Sequence, residues 1–340
     1  INNKLNHNFY LILAFCAGLI KGVAIAYFGA FQDSDIYFQM YNRVNEVGVF
    51  KSIAEFTSQT LKFEPVILFL YQIFGIFSVG GLGEYHFIIA NMIFMNLIIS
   101  AAMYKYFLIK KIKFIDILGA AIVVPLGYLF FSKDLYFWRS VLALAFFINF
   151  VKTRGFQRLL FGLLAIGSHF SFVFFIPLYL IAEYVSFLNK RWIYILYSIS
   201  SAGLFLTLIF FPDLISFIVS GGDSTVYTSQ GGDHATKVWL SILFSFIILL
   251  LVYDKFMSDE ILRPIYLFCF IIVCVGLLSY NSYHLMNRIF LPASILIGYF
   301  PFLMVQNNLK AFVAKLLMVL TIFPSFRLIY MLFSGDFNPI

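Results

Sequence analysis

The sequence predicts an all-α, polytopic integral membrane protein, and three observations support this fold class. Hydrophobic residues make up 62% of the 340 residues and charged residues only 11%, against about 45–50% and about 25% in soluble globular domains. The mean hydropathy is +0.94. The apolar residues also fall into runs close to the ~20 residues that a membrane helix needs. These values exclude a soluble, disordered or fibrous protein.

The apolar runs give the order of the predicted helices. They lie at about 9–30, 64–80, 85–109, 114–131, 136–151, 157–187, 191–211, 237–253, 262–280, 289–305 and 310–332. Short basic stretches separate several of them, at 105–113, 152–158, 190–191 and 255–263. Basic residues in short loops mark the cytoplasmic side of a membrane. The net charge of +7 is therefore attributed to membrane orientation, and no nucleic acid is expected as a partner.

Charge placement then predicts the topology of a single transmembrane domain over 1–340, with a cytoplasmic N-terminus. A full crossing by 64–80 would put the basic stretch 105–113 outside, so 64–80 is expected to be a re-entrant or interfacial helix. Run 157–187 is basic at both ends and too long for one ordinary helix. It is expected to form two short helices with a turn near His169. The total is about eleven transmembrane helices plus the re-entrant helix, with extracytoplasmic loops at about 31–62, 212–236 and 281–288.

This topology collects ionisable residues on the extracytoplasmic face. Placing an ionisable side chain at the centre of a membrane helix costs about 2.5–3.5 kcal/mol of free energy. A structural or functional role is therefore expected for each one. The group contains Arg139, Arg288, Glu64, Asp33, Asp35, His169 and His284. Structural roles stay open for all of them: the arginines could reach to lipid headgroups, and Glu64 before Pro65 could cap a helix. The aspartates and His284 could be loop residues, and His169 could be an interior histidine.

The residue types in this group suit the transfer of a sugar from a diphosphate. Two guanidiniums, here Arg139 and Arg288, bind a diphosphate bidentately and stay charged in a low dielectric. A histidine or carboxylate deprotonates a sugar hydroxyl, and the candidates for this catalytic role are His169, Glu64 and Asp35. Lower-ranked candidates for glycan contact are Asp33, Tyr37, Tyr283 and His284. Asp33-Ser34-Asp35 has the form of a metal–diphosphate motif, but such short patterns are common by chance, and no metal or cofactor is expected.

Several stretches resemble the EpsG/Wzy-type polysaccharide polymerases. The most specific is FWRSVLALAFFINFVKTRGFQRLLFGLLAIGSHFSFVFFIPLYL, at 137–180. It has an arginine opening a helix, a basic turn, then a small residue followed by histidine and serine. DSDIYFQMY and FEPVILFLYQIF are similar to the family's early acidic and Glu-Pro segments. By matching position, Arg139, His169, Glu64 and Asp35 correspond to the family's polar residues, whereas Arg288 rests on topology.

The resemblance implies a glycosyltransferase of the bacterial inner membrane that works at the extracytoplasmic face. Such polymerases join repeat units carried on undecaprenyl pyrophosphate and build O-antigen of lipopolysaccharide, capsule or exopolysaccharide. The implied partners are these lipid-linked glycans, the bilayer and a chain-length-regulating co-polymerase. Two alternatives remain. A flippase for lipid-linked oligosaccharides would need polar residues along a path between both faces. A membrane sugar O-acyltransferase centred on His169 would need an acyl donor that is reachable from the cytoplasm.

Overall fold

The structure is a computed structural model that describes residues 2–28, 32–60, 62–78, 81–107, 138–187, 232–260, 262–278 and 283–305. Regular structure in these ranges is entirely α-helical, which confirms the predicted all-α class for this part of the chain. The helices are α1 (Asn2–Phe28), α2 (Gln32–Val47), α3 (Val49–Thr60), α4 (Pro65–Phe77), α5 (Glu84–Phe107), α6 (Trp138–Lys152), α7 (Gly155–Ser168), α8 (Phe172–Ser186), α9 (Gly232–Ser258), α10 (Arg263–Leu278) and α11 (Tyr283–Val305).

Two of the described helices are long and apolar enough to cross a membrane, judged by length and composition. They are the segments His7–Tyr27 of α1 and Glu84–Tyr104 of α5. The other apolar helices in the described ranges have apolar segments of 10–17 residues. The predicted runs 114–131, 191–211 and 310–332 lie outside the described residues. The structure thus supports two candidate spans, and the count of about eleven stays a prediction.

The helices form two compact units. The first contains α1–α7, and the second extends from α8 to residue 300 in α11. In the second unit α8 packs on α10 through aromatic contacts, with Tyr179 and Phe268 edge to face at 6.0 Å. Arg263, at the start of α10, donates to the carbonyls of Met257 (2.7 Å) and Ser186 (3.0 Å). Arg263 therefore ties the ends of α9 and α8 to the start of α10.

In the first unit, α1 and α5 pack through small and polar residues. A Cβ atom added to Gly18 would lie 2.9 Å from the Ile93 Cα, and one added to Gly22 would lie 2.8 Å from the Ile89 Cα. The two backbones are therefore in close contact, as small residues permit between membrane helices. Asn96 of α5 is buried and donates a hydrogen bond to the Ala14 carbonyl. This contact anchors α5 to α1 through a polar group inside an apolar interface.

The segment 31–62, expected to be an extracytoplasmic loop, is not irregular. It consists largely of α2 and α3, which meet at Gly48. Gly48 has φ +83°, a left-handed conformation that glycine adopts without a steric penalty. The Arg43 side chain of α2 holds the Glu55 carboxylate of α3 with two hydrogen bonds of 2.8 Å. The segment is therefore a pair of helices joined by a tight turn and an ion pair.

Helix breaks and starts agree in part with the predicted boundaries. The prediction that 157–187 forms two helices with a turn near His169 is confirmed, because α7 ends at Ser168 and α8 begins at Phe172. Helix α4 has 13 residues, so it rises about 20 Å, which is short of the ~30 Å hydrocarbon core. Because α7 and α8 are nearly as short, with 14 and 15 residues, the re-entrant or interfacial position of α4 stays a prediction. The loop expected at 281–288 is helical from Tyr283 onward. The loop expected at 212–236 is described only from Gly232, and this part belongs to α9.

Candidate functional site

Three predicted site residues meet at the ends of three helices of the first unit. Glu64 precedes α4, Arg139 lies in the first turn of α6, and His169 follows α7. Glu64 Oε2 accepts a hydrogen bond from Arg139 Nη1. The other carboxylate oxygen, Oε1, lies 3.4 Å from His169 Nδ1. One carboxylate therefore bridges a guanidinium and an imidazole, and these residues form the Glu64–Arg139–His169 cluster.

The start of α4 directs the Glu64 side chain into this cluster. Pro65 occupies the first helical turn, where a missing N–H costs nothing because that donor has no partner within the helix. Glu64 is the N-cap residue, but its side chain makes no capping hydrogen bond. The side chain is 0% exposed. The capping role that the sequence left open for Glu64 is therefore wrong for its side chain, which pairs with Arg139 and faces His169.

The end of α7 brings His169 against the start of α4. His169 is the C-cap residue, and its backbone N–H donates to the Ala165 carbonyl at 3.0 Å. A Cβ atom added to Gly167 would lie 3.1 Å from Val66 Cγ2. The last turn of α7 thus packs closely on the first turn of α4. A glycine at position 167 allows the approach that sets the His169–Glu64 distance.

Aromatic side chains surround the Arg139 guanidinium. Its Cζ lies 5.8 Å from the ring centroid of Tyr37 and 5.7 Å from that of Phe56, both within cation–π range. Tyr37 also hydrogen-bonds the Arg139 side chain and stacks on Trp138, with centroids 4.8 Å apart. The Arg139 side chain is 20% exposed. Protein groups therefore hold the guanidinium, and the alternative of a side chain that only reaches to lipid headgroups does not fit.

The geometry of the cluster assigns different chemistry to its members. A carboxylate paired with a guanidinium is a poor proton acceptor, because the positive charge favours the ionised form. A carboxylate facing Nδ1 of a histidine favours the tautomer with the proton on Nδ1 and stabilises the imidazolium. By this argument His169 is the better proton acceptor of the two, and Glu64 lies where it can orient the imidazole. Arg139 supplies a fixed positive charge in a largely buried setting, where electrostatic interactions are stronger than in water.

The structure separates Asp35 from the cluster. Asp35 is exposed, and its carboxyl interacts with Glu84 at the start of α5 rather than with Glu64 or His169. Tyr37, two residues further along α2, does reach Arg139. The structure therefore brings together Glu64, Arg139 and His169. Tyr37, a candidate for glycan contact, joins them through Arg139.

The remaining candidates lie in described helices, but their side chains are not among those that the structure describes. Asp33 is in the first turn of α2. Tyr283, His284 and Arg288 are in the first two turns of α11. In the parts of the chain that are described, no group of three or more His, Cys, Asp or Glu residues is close enough to hold a metal ion.

Two features of the first unit were not predicted from the sequence. Phe56 contacts Arg139, and nothing in the pattern of α3 indicates that contact. Lys21 of α1 is 0% exposed, although it lies in the middle of the first apolar run. A lysine in such a run is itself a signal, because buried cations in membrane helices are rare and usually functional.

Comparisons with known proteins identify no family for this chain. Comparison with protein-family models, with curated proteins and with solved structures finds no match to this chain. The resemblance to polysaccharide polymerases therefore stays a prediction based on the sequence stretches quoted above.

Proposed function

We propose that this chain is a multi-pass glycosyltransferase of the bacterial inner membrane that polymerises oligosaccharide repeat units carried on undecaprenyl pyrophosphate. The observation that carries the proposal is the bridging of Arg139 and His169 by the buried Glu64 carboxylate. Glycosyl transfer from a diphosphate needs a proton acceptor for the attacking hydroxyl and a positive charge for the leaving group. The cluster supplies both within one connected group of side chains.

In the proposed step, a hydroxyl oxygen of the acceptor glycan attacks the anomeric carbon of the donor glycan. The new carbon–oxygen bond forms as the bond from that carbon to the pyrophosphate oxygen breaks. The electron pair of the broken bond leaves with undecaprenyl pyrophosphate. The hydroxyl proton passes to His169 Nε2, and the resulting imidazolium is stabilised by Glu64, whose Oε1 faces Nδ1 at 3.4 Å.

Arg139 is the proposed diphosphate-binding residue of the cluster. Its Nη1 is committed to Glu64, whereas its Nε has no hydrogen-bond acceptor among the described residues. This Nε is buried, so a phosphate oxygen would approach the part of the Arg139 side chain that is 20% exposed, and guanidinium groups bind phosphate oxygens strongly. Arg288 is proposed as a second diphosphate ligand on the topological argument alone. The mechanism calls for no metal and no cofactor.

The membrane setting of the proposal follows the predicted topology. The N-terminus is proposed to be cytoplasmic, and the cluster is proposed to open to the extracytoplasmic side. The two candidate spans in α1 and α5 support association with a bilayer, which also holds the polyprenyl tails of both substrates. A chain-length-regulating co-polymerase is the proposed protein partner.

The test is complementation of a deletion strain, followed by gel electrophoresis of its surface polysaccharide. Wild type is expected to restore a ladder of long chains, whereas Arg139→Ala and His169→Ala leave one repeat unit on the acceptor. Arg154→Ala is a matched control, because Arg154 is exposed and precedes α7. All variants are compared at equal amounts in the membrane. A full ladder with Arg139→Ala would remove Arg139 from the reaction.

The deletion strain also separates the proposal from its alternatives. A polymerase deletion keeps the band that carries a single repeat unit. Loss of that band as well would indicate an earlier step, such as a flippase. A normal ladder whose sugars have lost acyl groups, detected by mass spectrometry of the polysaccharide, would indicate an O-acyltransferase. Either result would overturn the proposed polymerase activity.

A further inference from the structure

A cleft with apolar and polar side chains in its lining lies beside the Glu64–Arg139–His169 cluster, between α2 and α3 and at the first turn of α4. Its volume is about 580 Å³, within the ~300–1,000 Å³ range of small-molecule sites. Side-chain amides line it from both helices, with Gln39 and Asn42 on α2 and Gln59 on α3. These three residues are exposed. The cleft therefore offers several donors and acceptors at an accessible surface.

The charges of the cleft disfavour an anionic ligand. Arg43 is held by Glu55 through two hydrogen bonds of 2.8 Å and lies 3.6 Å from Glu46. One cation therefore faces two carboxylates, and the lining has an excess of negative charge. The Arg43 guanidinium also lowers the pKa of Glu55, so that this carboxylate stays ionised at neutral pH. Diphosphates and other anions are repelled, whereas a polyhydroxylated ligand finds both donors and acceptors.

Phe56 connects the cleft to the cluster. Its side chain lines the cleft, and its ring centroid is 5.7 Å from Arg139 Cζ. Ile36 also lines the cleft, and the next residue, Tyr37, contacts Arg139. A ligand that fills the cleft therefore ends one aromatic ring away from the guanidinium. An aromatic ring with a few amides placed around it is typical of small-molecule sites, and the ring offers a surface for the apolar face of a sugar while the amides can bind its hydroxyl groups.

We propose that the cleft between α2 and α3 binds the uncharged end of the acceptor oligosaccharide and delivers its hydroxyl group to the Glu64–Arg139–His169 cluster. This inference rests on the proposed function, because it assigns a substrate subsite to the same reaction. It divides the substrates by charge: the diphosphate of the donor goes to Arg139, and the sugar residues of the acceptor go to the amides of the cleft.

The test measures binding directly, with the full chain purified in lipid nanodiscs. The probe is the oligosaccharide repeat unit, freed of lipid and phosphate by mild acid, and titrated by isothermal calorimetry. Asn42→Ala and Gln59→Ala remove one amide from each side of the cleft and are expected to raise the dissociation constant about tenfold. The control is Asn45→Ala, which removes the same kind of side chain three residues along α2 but outside the cleft.

A second measurement separates this inference from the proposed function. In a polymerisation assay, the cleft variants are expected to raise KM for the acceptor about tenfold and leave kcat within twofold. If both cleft variants polymerise normally and keep the dissociation constant and the KM of wild type, the acceptor site is overturned but the polymerase activity is not. If the variants lose glycan binding and the wild type makes no polymer, the cleft is a glycan site but the polymerase activity is overturned. Tighter binding of inorganic pyrophosphate than of glycan to the cleft would overturn the division by charge.

Discussion

Removal of the Glu64 carboxylate should destabilise the first unit strongly, because it leaves Arg139 with an uncompensated charge. The Glu64 side chain is 0% exposed and the Arg139 side chain is 20% exposed. Removing one partner of a buried ion pair costs about 3–5 kcal/mol. Since a fifth of the arginine side chain reaches the surface, we expect the low end, about 3 kcal/mol for Glu64→Ala. Glu64→Gln keeps the size and one acceptor, and its expected cost is about 1.5 kcal/mol, the low end for a charged hydrogen bond.

The assay for this prediction is a double-mutant cycle on purified protein, unfolded by SDS titration in mixed micelles. The four proteins are wild type, Glu64→Ala, Arg139→Leu and the variant with both substitutions. The double variant has no buried charge left unpaired at this pair, so its free energy of unfolding should exceed the additive expectation by about 2 kcal/mol. The reasoning is refuted if each single substitution costs less than 1 kcal/mol and the two costs add. That result would mean that the pair is solvated in the folded protein.

Three further predictions concern other contacts of the first unit. Gly167→Val should weaken the packing of α7 on α4 by about 1–3 kcal/mol and reduce polymerisation, with Gly167→Ala intermediate in both thermal stability and activity. The Arg43–Glu55 ion pair lowers the pKa of Glu55 below its ordinary value of 4.5, so its stabilisation is complete above that value and fades as the pH falls through the lowered pKa. Thermal melts in acid should show this loss in wild type and not in Glu55→Gln. Asn96→Leu removes the hydrogen bond to the Ala14 carbonyl and should cost about 0.6–1.7 kcal/mol, measured by the same SDS titration; no change would show that the amide is satisfied elsewhere.

Part of the site was predictable because charge placement and length limit how an apolar chain folds. Run 157–187 was too long for one helix and basic at both ends, and α7 and α8 do separate at His169. The same reasoning placed Glu64, Arg139 and His169 on one face, and the structure joins them. Each of these residues lies at a helix end, where a polar residue next to an apolar run is visible in the sequence.

The polar composition of 31–62 favours a loop, and only the periodicity of its apolar residues indicates the helices α2 and α3. Tyr37, Tyr41 and Val44 are all buried and recur at the spacing of one helix face. Asp35 was a catalytic candidate through its match to the early acidic segment of the family, but its carboxyl interacts with Glu84 instead of with the cluster. The contact of Phe56 with Arg139 depends on how α3 packs against the start of α6. No local pattern carries that information.

The short helices of the cluster make lipid thickness a variable of the proposed reaction. Helix α4 has 13 residues and α7 has 14, which correspond to about 20 Å and 21 Å of rise. Helix α4 is expected to be re-entrant or interfacial and needs no match to the ~30 Å core, whereas α7, which is expected to cross it, would be matched by local thinning of the bilayer. Glu64 precedes α4 and His169 follows α7, so we expect a change in bilayer thickness around α7 to alter the distance between these two side chains. Under the proposed function, we therefore expect the chain length of the polysaccharide to depend on the acyl composition of the membrane.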